Sequence, residues 1–235
     1  MASATRLLPE DHTNGAGPQL AVRVPERFTL VVMGRSRVGK TAITVRYTSA
    51  AFVQQYDPTI EDKHLKHTTI GNAPVCLEIL DTAGEENYSA LRRSWMQHGG
   101  GEAGFLFVFS LVDRQTFDEL VTFRDELMDL YHDDPPPSVL VANKSDMDAG
   151  EWVVTDEEVK GLRSRWHNCT QVIYTSASSG SNVSEAFEPL SIAVRERVHR
   201  RRRTARDREA ERNALLRENS TGSPCSRCRL VHCIR

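Results

Sequence analysis

Residues 34–41 read GRSRVGKT and fit the pattern G-x-x-x-x-G-K-[ST] of a phosphate-binding loop. The apolar run 28–33 precedes this segment, and a stretch with helical apolar spacing follows it. A strand, a glycine-rich turn and a helix in this order are the context in which such a loop binds phosphate. The sequence therefore predicts an α/β fold with a phosphate site between its first strand and its first helix.

The chemistry of this loop depends on where its glycines and its lysine stand. Glycines let successive backbone N–H groups turn toward phosphate oxygens, and the start of the following helix adds its dipole. Lys40 would place a positive charge on the β and γ phosphates, and the Thr41 hydroxyl would bind Mg²⁺. The candidate nucleotide-binding residues of the segment are Gly34, Ser36, Arg37, Val38, Gly39, Lys40, Thr41 and Ala42.

Short apolar runs and helical periods alternate along the chain. Continuous apolar runs, typical of parallel strands covered on both faces, lie at 28–33, 105–109, 138–142 and 171–174. Residues 64–70 and 75–80 flank a turn-forming segment and predict a hairpin. Apolar residues at helical spacing predict helices from Phe117 to Tyr131 and from Val183 to Val194. The predicted fold class is α/β, a doubly wound, mostly parallel six-stranded sheet with one antiparallel edge strand and helices on both faces.

Composition and charge change at both ends of the chain. Residues 1–25 contain glycine and proline without an apolar period, which predicts a disordered N-terminal arm. From Arg195 onward the chain has 13 basic and 5 acidic residues, whereas the preceding part has 17 basic and 27 acidic ones. The sequence therefore predicts three parts: the arm at 1–25, a nucleotide-binding domain at 26–198 and a basic, cysteine-containing tail at 199–235.

This charge asymmetry limits the kinds of partner. A basic tail on an acidic body predicts an anionic partner, such as a membrane surface, for the tail alone. We expect no nucleic-acid partner, because the body is acidic and no aromatic residue interleaves the arginines at 200–203. The chain has no run of about 18 apolar residues, so no transmembrane helix is expected. The five cysteines and the polar first residues are consistent with a reducing, cytoplasmic location.

A second motif points to the base of the nucleotide. Residues 143–146 read NKSD and follow the predicted strand 138–142, at the edge where open α/β sheets hold ligands. The Asp146 carboxylate can accept hydrogen bonds from the N1–H and the 2-amino group of guanine, and adenine lacks this pair of donors. Asn143 and Lys144 would support the site. The motif therefore favours guanine and disfavours the interpretation as an ATP-using kinase. Tight binding of ATP would support that interpretation again.

Three further segments complete a pattern in which the chain resembles the Ras family of small GTPases. Residues 56–62, from Tyr56 to Asp62, resemble the effector loop called switch I. Residues 81–84 read DTAG and resemble the start of switch II, and residues 175–177 resemble the last guanine-binding loop. The resemblance covers about residues 27–198 and leaves out the segments on either side.

The resemblance assigns roles at the matching positions. Magnesium would be held by Thr41, Thr59 and Asp81. The catalytic set would be Lys40, Thr59, Gly84 and Glu85. Further contacts to guanine and phosphates would come from Phe52, Tyr56, Thr59, Gly84, Ser176, Ala177 and Ser178.

The resemblance also implies a mechanism and a set of partners. The γ-phosphate and Mg²⁺ would order the loops around Thr59 and Gly84, and GTP hydrolysis would release them. Such a monomeric switch in signal transduction works with a guanine-nucleotide exchange factor, a GTPase-activating protein and effectors that bind residues 56–62. Its chemistry is mostly positioning and charge neutralisation, so its intrinsic rate would be low, and a partner's arginine could raise that rate by about 10³–10⁵-fold.

The chain departs from the family pattern at four positions. Glu85 stands where the family usually has a glutamine that orients the attacking water, and a carboxylate cannot donate a hydrogen bond as glutamine does. Ser36 and Arg37 replace small glycines, and Ser178 replaces the usual lysine. Two interpretations follow: a slowly hydrolysing switch, or a GTP-bound binding module with negligible hydrolysis.

The last residues leave the nature of a membrane anchor open. The chain ends Cys233-Ile234-Arg235, which does not fit the pattern for prenylation. The cysteines at 225, 228 and 233 lie beside a basic run, so palmitoylation and attraction to anionic lipid would form a two-signal anchor at the cytoplasmic face of a membrane. The alternative is a solvated tail with inert thiols. A zinc site is disfavoured by the cramped spacing of these cysteines and His232.

Overall fold

The computed structural model describes residues 24–50, 61–84, 89–98, 102–132 and 134–220. Six strands of this part form one sheet: β1 (Glu26–Met33), β2 (Glu61–Ile70), β3 (Ala73–Thr82), β4 (Ala103–Ser110), β5 (Ser138–Asn143) and β6 (Cys169–Thr175). Their order across the sheet is β2-β3-β1-β4-β5-β6. Only the edge pair β2–β3 is antiparallel among these strands, and the other four pairs are parallel. The predicted sheet and its hairpin edge are confirmed.

The described helices are α1 (Lys40–Ser49), α2 (Ser89–Gln97), α3 (Arg114–Asp118), α4 (Leu120–Tyr131), α5 (Asp156–Ser164) and α6 (Val183–Ser220). The helix predicted from Phe117 to Tyr131 divides at Glu119 into α3 and α4. Helices α2 and α5 were not predicted from the sequence, because their apolar faces are short. For α5, a capping box formed by Thr155 and Glu158 marks the start.

Two hydrophobic cores lie on opposite faces of the sheet. Alternate residues of β1 pack into the two cores: Leu30 lies in the first and Val31 in the second. Helices α1 and α6 cover the first face, where Ile43 and Phe187 are fully buried. Residues of α2, α3, α4 and α5 cover the second face. Helices therefore lie on both faces, as predicted for a doubly wound sheet.

The carboxyl ends of the parallel strands meet at one edge of the sheet. β1 ends at Met33, directly before the phosphate-loop motif, and β3 contains Asp81 near its end. β5 ends at Asn143, the first residue of the NKSD motif, and β6 ends at Thr175. The topology thus gathers motifs that are more than 100 residues apart along the chain.

Helix α6 does not end at residue 198, the predicted end of the domain. It continues to Ser220. Two carboxylates outside this helix form ion pairs with it around residues 195–199. Glu26 of β1 pairs with Arg195 and His199, at 2.8 and 2.9 Å. Asp134 pairs with Arg197 at 2.9 Å. Beyond these turns, the helical residues 200–217 are exposed. The first part of the basic tail is therefore a continuation of the last helix of the fold.

We expect Glu26→Gln to lower the free energy of unfolding near neutral pH by about 0.5–1 kcal/mol, a value limited by the exposure of the pair. Burial raises the pKa of Glu26, but hydrogen bonds from Arg195 and His199 outweigh it, so the net pKa lies below the ordinary value of 4.5. Stabilisation by this carboxylate is therefore present above that pH and is lost as the pH falls further. Urea denaturation at neutral and acidic pH measures the difference.

The matched control for this prediction is Glu209→Gln, on the exposed part of α6. It should leave the free energy of unfolding unchanged at both pH values. A deficit of Glu26→Gln that persists undiminished in acid would contradict the assignment to ionic contacts.

Among the described helices, none combines the length and the apolar composition needed to span a lipid bilayer.

Candidate nucleotide-binding site

The phosphate-loop motif forms a tight turn between β1 and α1. Gly39 has a φ of 100°, and a Cβ atom placed on it would lie 2.3 Å from Nδ2 of Asn143. Glycine is therefore required there both by the backbone conformation and by the close approach. Gly34 follows β1 directly, Ser36 is half-buried and Arg37 is exposed, with a left-handed φ of 63°.

Lys40 is the buried cation of the site. Only 7% of the residue is exposed, and its Nζ donates a hydrogen bond to the Arg35 carbonyl at 3.0 Å. Burial lowers the pKa of Lys40 to about 8, although Asp81 and Glu119 attract the positive charge. A buried ammonium group is costly without an anionic partner. The loop therefore presents a cation whose environment favours a bound anion.

Thr41 and Asp81 bring two oxygen groups together beside Lys40. The Thr41 hydroxyl donates to Oδ2 of Asp81 at 2.5 Å. The other carboxylate oxygen, Oδ1, is buried and has no hydrogen-bond partner within the described part of the chain. Burial raises the pKa of Asp81, while the Thr41 hydrogen bond and Lys40 act in the opposite direction. A buried carboxylate oxygen without a partner, next to a hydroxyl, fits the oxygen ligands that Mg²⁺ prefers.

Gly84, just after β3, lies directly against the phosphate loop. A Cβ atom on Gly84 would lie 2.4 Å from Nζ of Lys40, and equally close to the carbonyl carbon of Arg35 and the amide nitrogen of Ser36. Two of these three atoms belong to the backbone, so they cannot move aside cheaply. The structure therefore brings Gly84 close to Lys40, the residue with which it is predicted to share the γ-phosphate.

Asn143 joins the phosphate loop to the last loop of the site. Its Nδ2 donates to the Val38 carbonyl at 2.7 Å. Its Oδ1 accepts from the Thr175 hydroxyl and from the Ala177 N–H, each at 3.2 Å. Because the residue is buried, these hydrogen bonds are strong constraints on the three segments. Asn143 therefore sets the distance between the phosphate end and the base end of the site.

The candidate base-contacting residues surround this asparagine. Asp146 is exposed, Lys144 is half-buried with a left-handed φ of 67°, and Ser176 is buried. The backbone N–H of Ser145 donates to the Thr175 carbonyl at 3.0 Å, which ties the NKSD motif to the end of β6. The structure thus brings the two predicted guanine-binding segments side by side.

Arg46, on α1, is a site residue that the sequence reading missed. Its Nε donates to the Ala177 carbonyl at 3.0 Å, and its guanidinium also reaches the carbonyls of Ser178 and Ala50. Ser178 itself is exposed and Ala42 is half-buried. An arginine in the last turn of a helix gives no sign of a partner that is 131 positions away. The contact became visible only from the packing of α1 beside this loop.

Part of the predicted site lies outside the described residues. Phe52, Tyr56, Thr59 and Glu85 belong to this group. The tail cysteines at 225, 228 and 233, considered above for a membrane anchor, also lie outside the described residues. The described part nevertheless contains the phosphate loop, Asp81, Gly84 and both candidate guanine-binding segments.

Comparison with known families agrees with this geometry. A sequence model of the Ras family matches residues 29–196, from within β1 to within α6. The match includes every described residue of the candidate site. The chain thus belongs to the Ras family of small GTPases, which bind GTP and GDP with Mg²⁺, hydrolyse GTP and act as switches whose partners are regulators and effectors.

Proposed function

We propose that this chain is a signalling switch that hydrolyses GTP slowly and binds effectors through residues 56–62 in its GTP-bound state. The observation that carries the proposal is the convergence of buried Lys40, the Thr41–Asp81 pair and Gly84 at one point of the sheet edge. A cation, two oxygen ligands and a backbone N–H close to the cation are the groups that a nucleoside triphosphate with Mg²⁺ requires.

Each group at this edge has a separate task. Lys40 binds the β and γ phosphates, and the N–H of Gly84 donates to the γ-phosphate once it is present. Thr41 and Asp81, with Thr59, hold Mg²⁺, which when bound neutralises charge on the phosphates. At the other end, Asp146 accepts hydrogen bonds from guanine, with Ser176 and Ala177 beside its O6 and Ser178 next to them in the same loop. Phe52 and Tyr56 complete the cover of base and phosphates.

Residue 85 decides how fast the switch turns off. Glu85 can accept a hydrogen bond from the attacking water but cannot donate one to the γ-phosphate, and its charge repels that phosphate. We therefore infer hydrolysis that is slow without an activating protein. Ser36 places a side chain where an activator's arginine would enter, which limits the stimulation that an activating protein can supply.

Regulators and effectors are the partners of the domain at 26–198, and the tail at 199–235 attracts an anionic membrane surface. Eight arginines lie among the exposed residues 200–217, against three acidic residues. This surplus of positive charge supports attraction to anionic lipid, with palmitoylated tail cysteines as the second signal. The chain acts as a monomer at the cytoplasmic face.

The test is single-turnover release of phosphate from the GTP-loaded chain, compared with Glu85→Gln. We expect release over minutes to hours, and a rate about tenfold or more higher for Glu85→Gln when an activating protein is added, because glutamine can both donate and accept hydrogen bonds. Phosphate release is followed with a fluorescent phosphate sensor.

Two results would change this conclusion. A chain that holds GTP without releasing phosphate would favour the alternative of a GTP-bound binding module. Equal rates for the two forms would show that residue 85 does not limit turnover.

A further inference from the structure

Arg35, the second residue of the phosphate-loop motif, reaches out of the site to an acidic residue on another element. Its guanidinium lies 3.2 Å from Oε2 of Glu119. The two residues are 84 positions apart along the chain. Their side chains are 30% and 19% exposed, so water screens this ion pair less than it would a surface pair.

Glu119 also binds an arginine of α2. Its second oxygen, Oε1, lies 3.1 Å from Arg92, and the same guanidinium lies 3.2 Å from Glu126 of α4. The Arg92 side chain is 12% exposed and covers the ring of Phe123 at 4.3 Å. One carboxylate thus bridges the phosphate loop and α2, with a separate oxygen for each arginine.

The backbone of Glu119 is well anchored for this purpose. The residue stands at the junction of α3 and α4, where its N–H donates to the Gln115 carbonyl and its own carbonyl accepts from Thr122 and Phe123. Because the backbone is fixed, the carboxylate can respond to its partners only by turning. Since both oxygens belong to this one group, movement of either arginine changes the contact that the other one makes.

Both ends of this bridge lie beside segments to which the proposed function assigns nucleotide or effector contacts. The Arg35 carbonyl accepts the hydrogen bond from Lys40, and the peptide that follows it lies against Gly84. At the far side of α2, Nε1 of Trp95 donates to Glu61 at 2.9 Å, within the segment 56–62. A shift of the phosphate loop thus has a continuous path of direct contacts to α2 and to the start of β2.

We propose that Arg35, Glu119 and Arg92 are positioning residues that hold the phosphate loop around Lys40 and couple its position to helix α2. Nucleotide binding at one end of the chain of contacts and the placement of α2 at the other end then influence each other. This inference rests on the proposed function in so far as the loop binds a guanine nucleotide.

The decisive variant is Arg92→Met, because Arg92 contacts Glu119 and no described residue of the phosphate loop. Coupling between the binding free energies of two sites is reciprocal, so a chain without this distant arginine should bind GDP more weakly. We expect this loss to appear as release of fluorescent GDP that is about threefold to tenfold faster. Arg35→Met and Glu119→Gln should do the same. Combining Arg35→Met with Glu119→Gln should add little to the larger single effect, since the contact that Arg35→Met removes is one of the two that Glu119→Gln weakens.

Hydrogen exchange of residues 89–98 gives a readout at the other end. In the wild-type chain, protection of α2 should differ between the GDP-bound and GTP-analogue-bound forms. In Arg35→Met and Glu119→Gln this difference should shrink, although neither residue belongs to α2.

Two neighbours provide matched controls. Arg93 follows Arg92 on α2, is exposed and has no ion pair with any described residue, so Arg93→Met should release GDP at the wild-type rate. Asp118 precedes Glu119 but pairs with Arg114 on the surface, so Asp118→Asn should also have no effect.

The outcomes separate this inference from the proposed function. GDP release from Arg92→Met at the wild-type rate, or an unchanged α2 response in Arg35→Met, would overturn the coupling and leave the proposed function intact. A wild-type chain that binds no fluorescent GDP would overturn both. Faster release in Arg93→Met as well would show that α2 acts through its general stability, and would also overturn the coupling.

Discussion

Replacing Lys40 with methionine is expected to weaken the binding of GTP and GDP by about 100-fold or more. Removing one partner of a desolvated charge pair typically costs about 2–5 kcal/mol of binding free energy. Lys40 is the buried cation at the phosphate end of the described site, and methionine fills a similar volume without a charge. Titration with fluorescent GDP or GTP analogues measures the loss.

The same variant is expected to stabilise the nucleotide-free chain. Burial lowers the pKa of Lys40 from 10.5 to about 8, so below that pH the folded chain bears the cost of a charged, poorly solvated ammonium group. This cost is at most about 3 kcal/mol and falls as the pH rises from 8 toward 10.5. The free energy of unfolding in the absence of nucleotide should therefore increase in Lys40→Met at neutral pH.

Lys160→Met provides the control, since Lys160 is an exposed residue of α5 that pairs with Asp156 at 3.9 Å. It should change neither nucleotide affinity nor stability by more than a few tenths of a kcal/mol. Nucleotide affinity of Lys40→Met within threefold of wild type would contradict the role of Lys40 as the phosphate-binding cation.

Replacing Gly84 with alanine is expected to reduce single-turnover GTP hydrolysis by about 10–100-fold. The new Cβ would lie 2.4 Å from the backbone of residues 35 and 36 and from Nζ of Lys40. Because real Cβ atoms do not approach so closely, residue 84 must move away from the phosphate loop. Loss of one donor to the developing charge has an effect of about this size.

Affinity for GDP distinguishes this effect from general misfolding, because GDP lacks the γ-phosphate that Gly84 would contact. We expect GDP binding within a few-fold of wild type for Gly84→Ala. Gly161→Ala is the matched control: no atom lies within 4 Å of a Cβ at that position of α5. That change should leave hydrolysis unchanged and stabilise the helix slightly. Hydrolysis by Gly84→Ala at the wild-type rate would show that residue 84 does not approach the γ-phosphate.

Local patterns in the sequence predicted the fold correctly. The strands at 28–33, 105–109 and 138–142 were recognisable because both of their faces are buried, which leaves a continuous apolar run. The hairpin of β2 and β3 was recognisable from its turn. In α2 and α5 the apolar face is short, so the spacing of apolar residues did not predict these two helices.

The division at Glu119 shows a second kind of limit. The apolar stripe from Phe117 to Tyr131 is nearly continuous, so it predicts one helix. The chain forms two helices with Glu119 between them. Periodicity reports which residues face the core, and it does not report where a helix is interrupted while its apolar face continues.

The sequence by itself determined that a phosphate loop follows the first strand and that an NKSD motif follows a later one, since each motif is a contiguous run. Only the tertiary structure decided how these segments are held together. Asn143 binds Val38 across 105 positions, Arg46 binds Ala177 across 131, and Arg35 binds Glu119 across 84. The physical reason is that polar partners are selected by proximity in the folded sheet, which places the ends of distant strands at one edge. A polar side chain carries no local signal of the partner it will meet there.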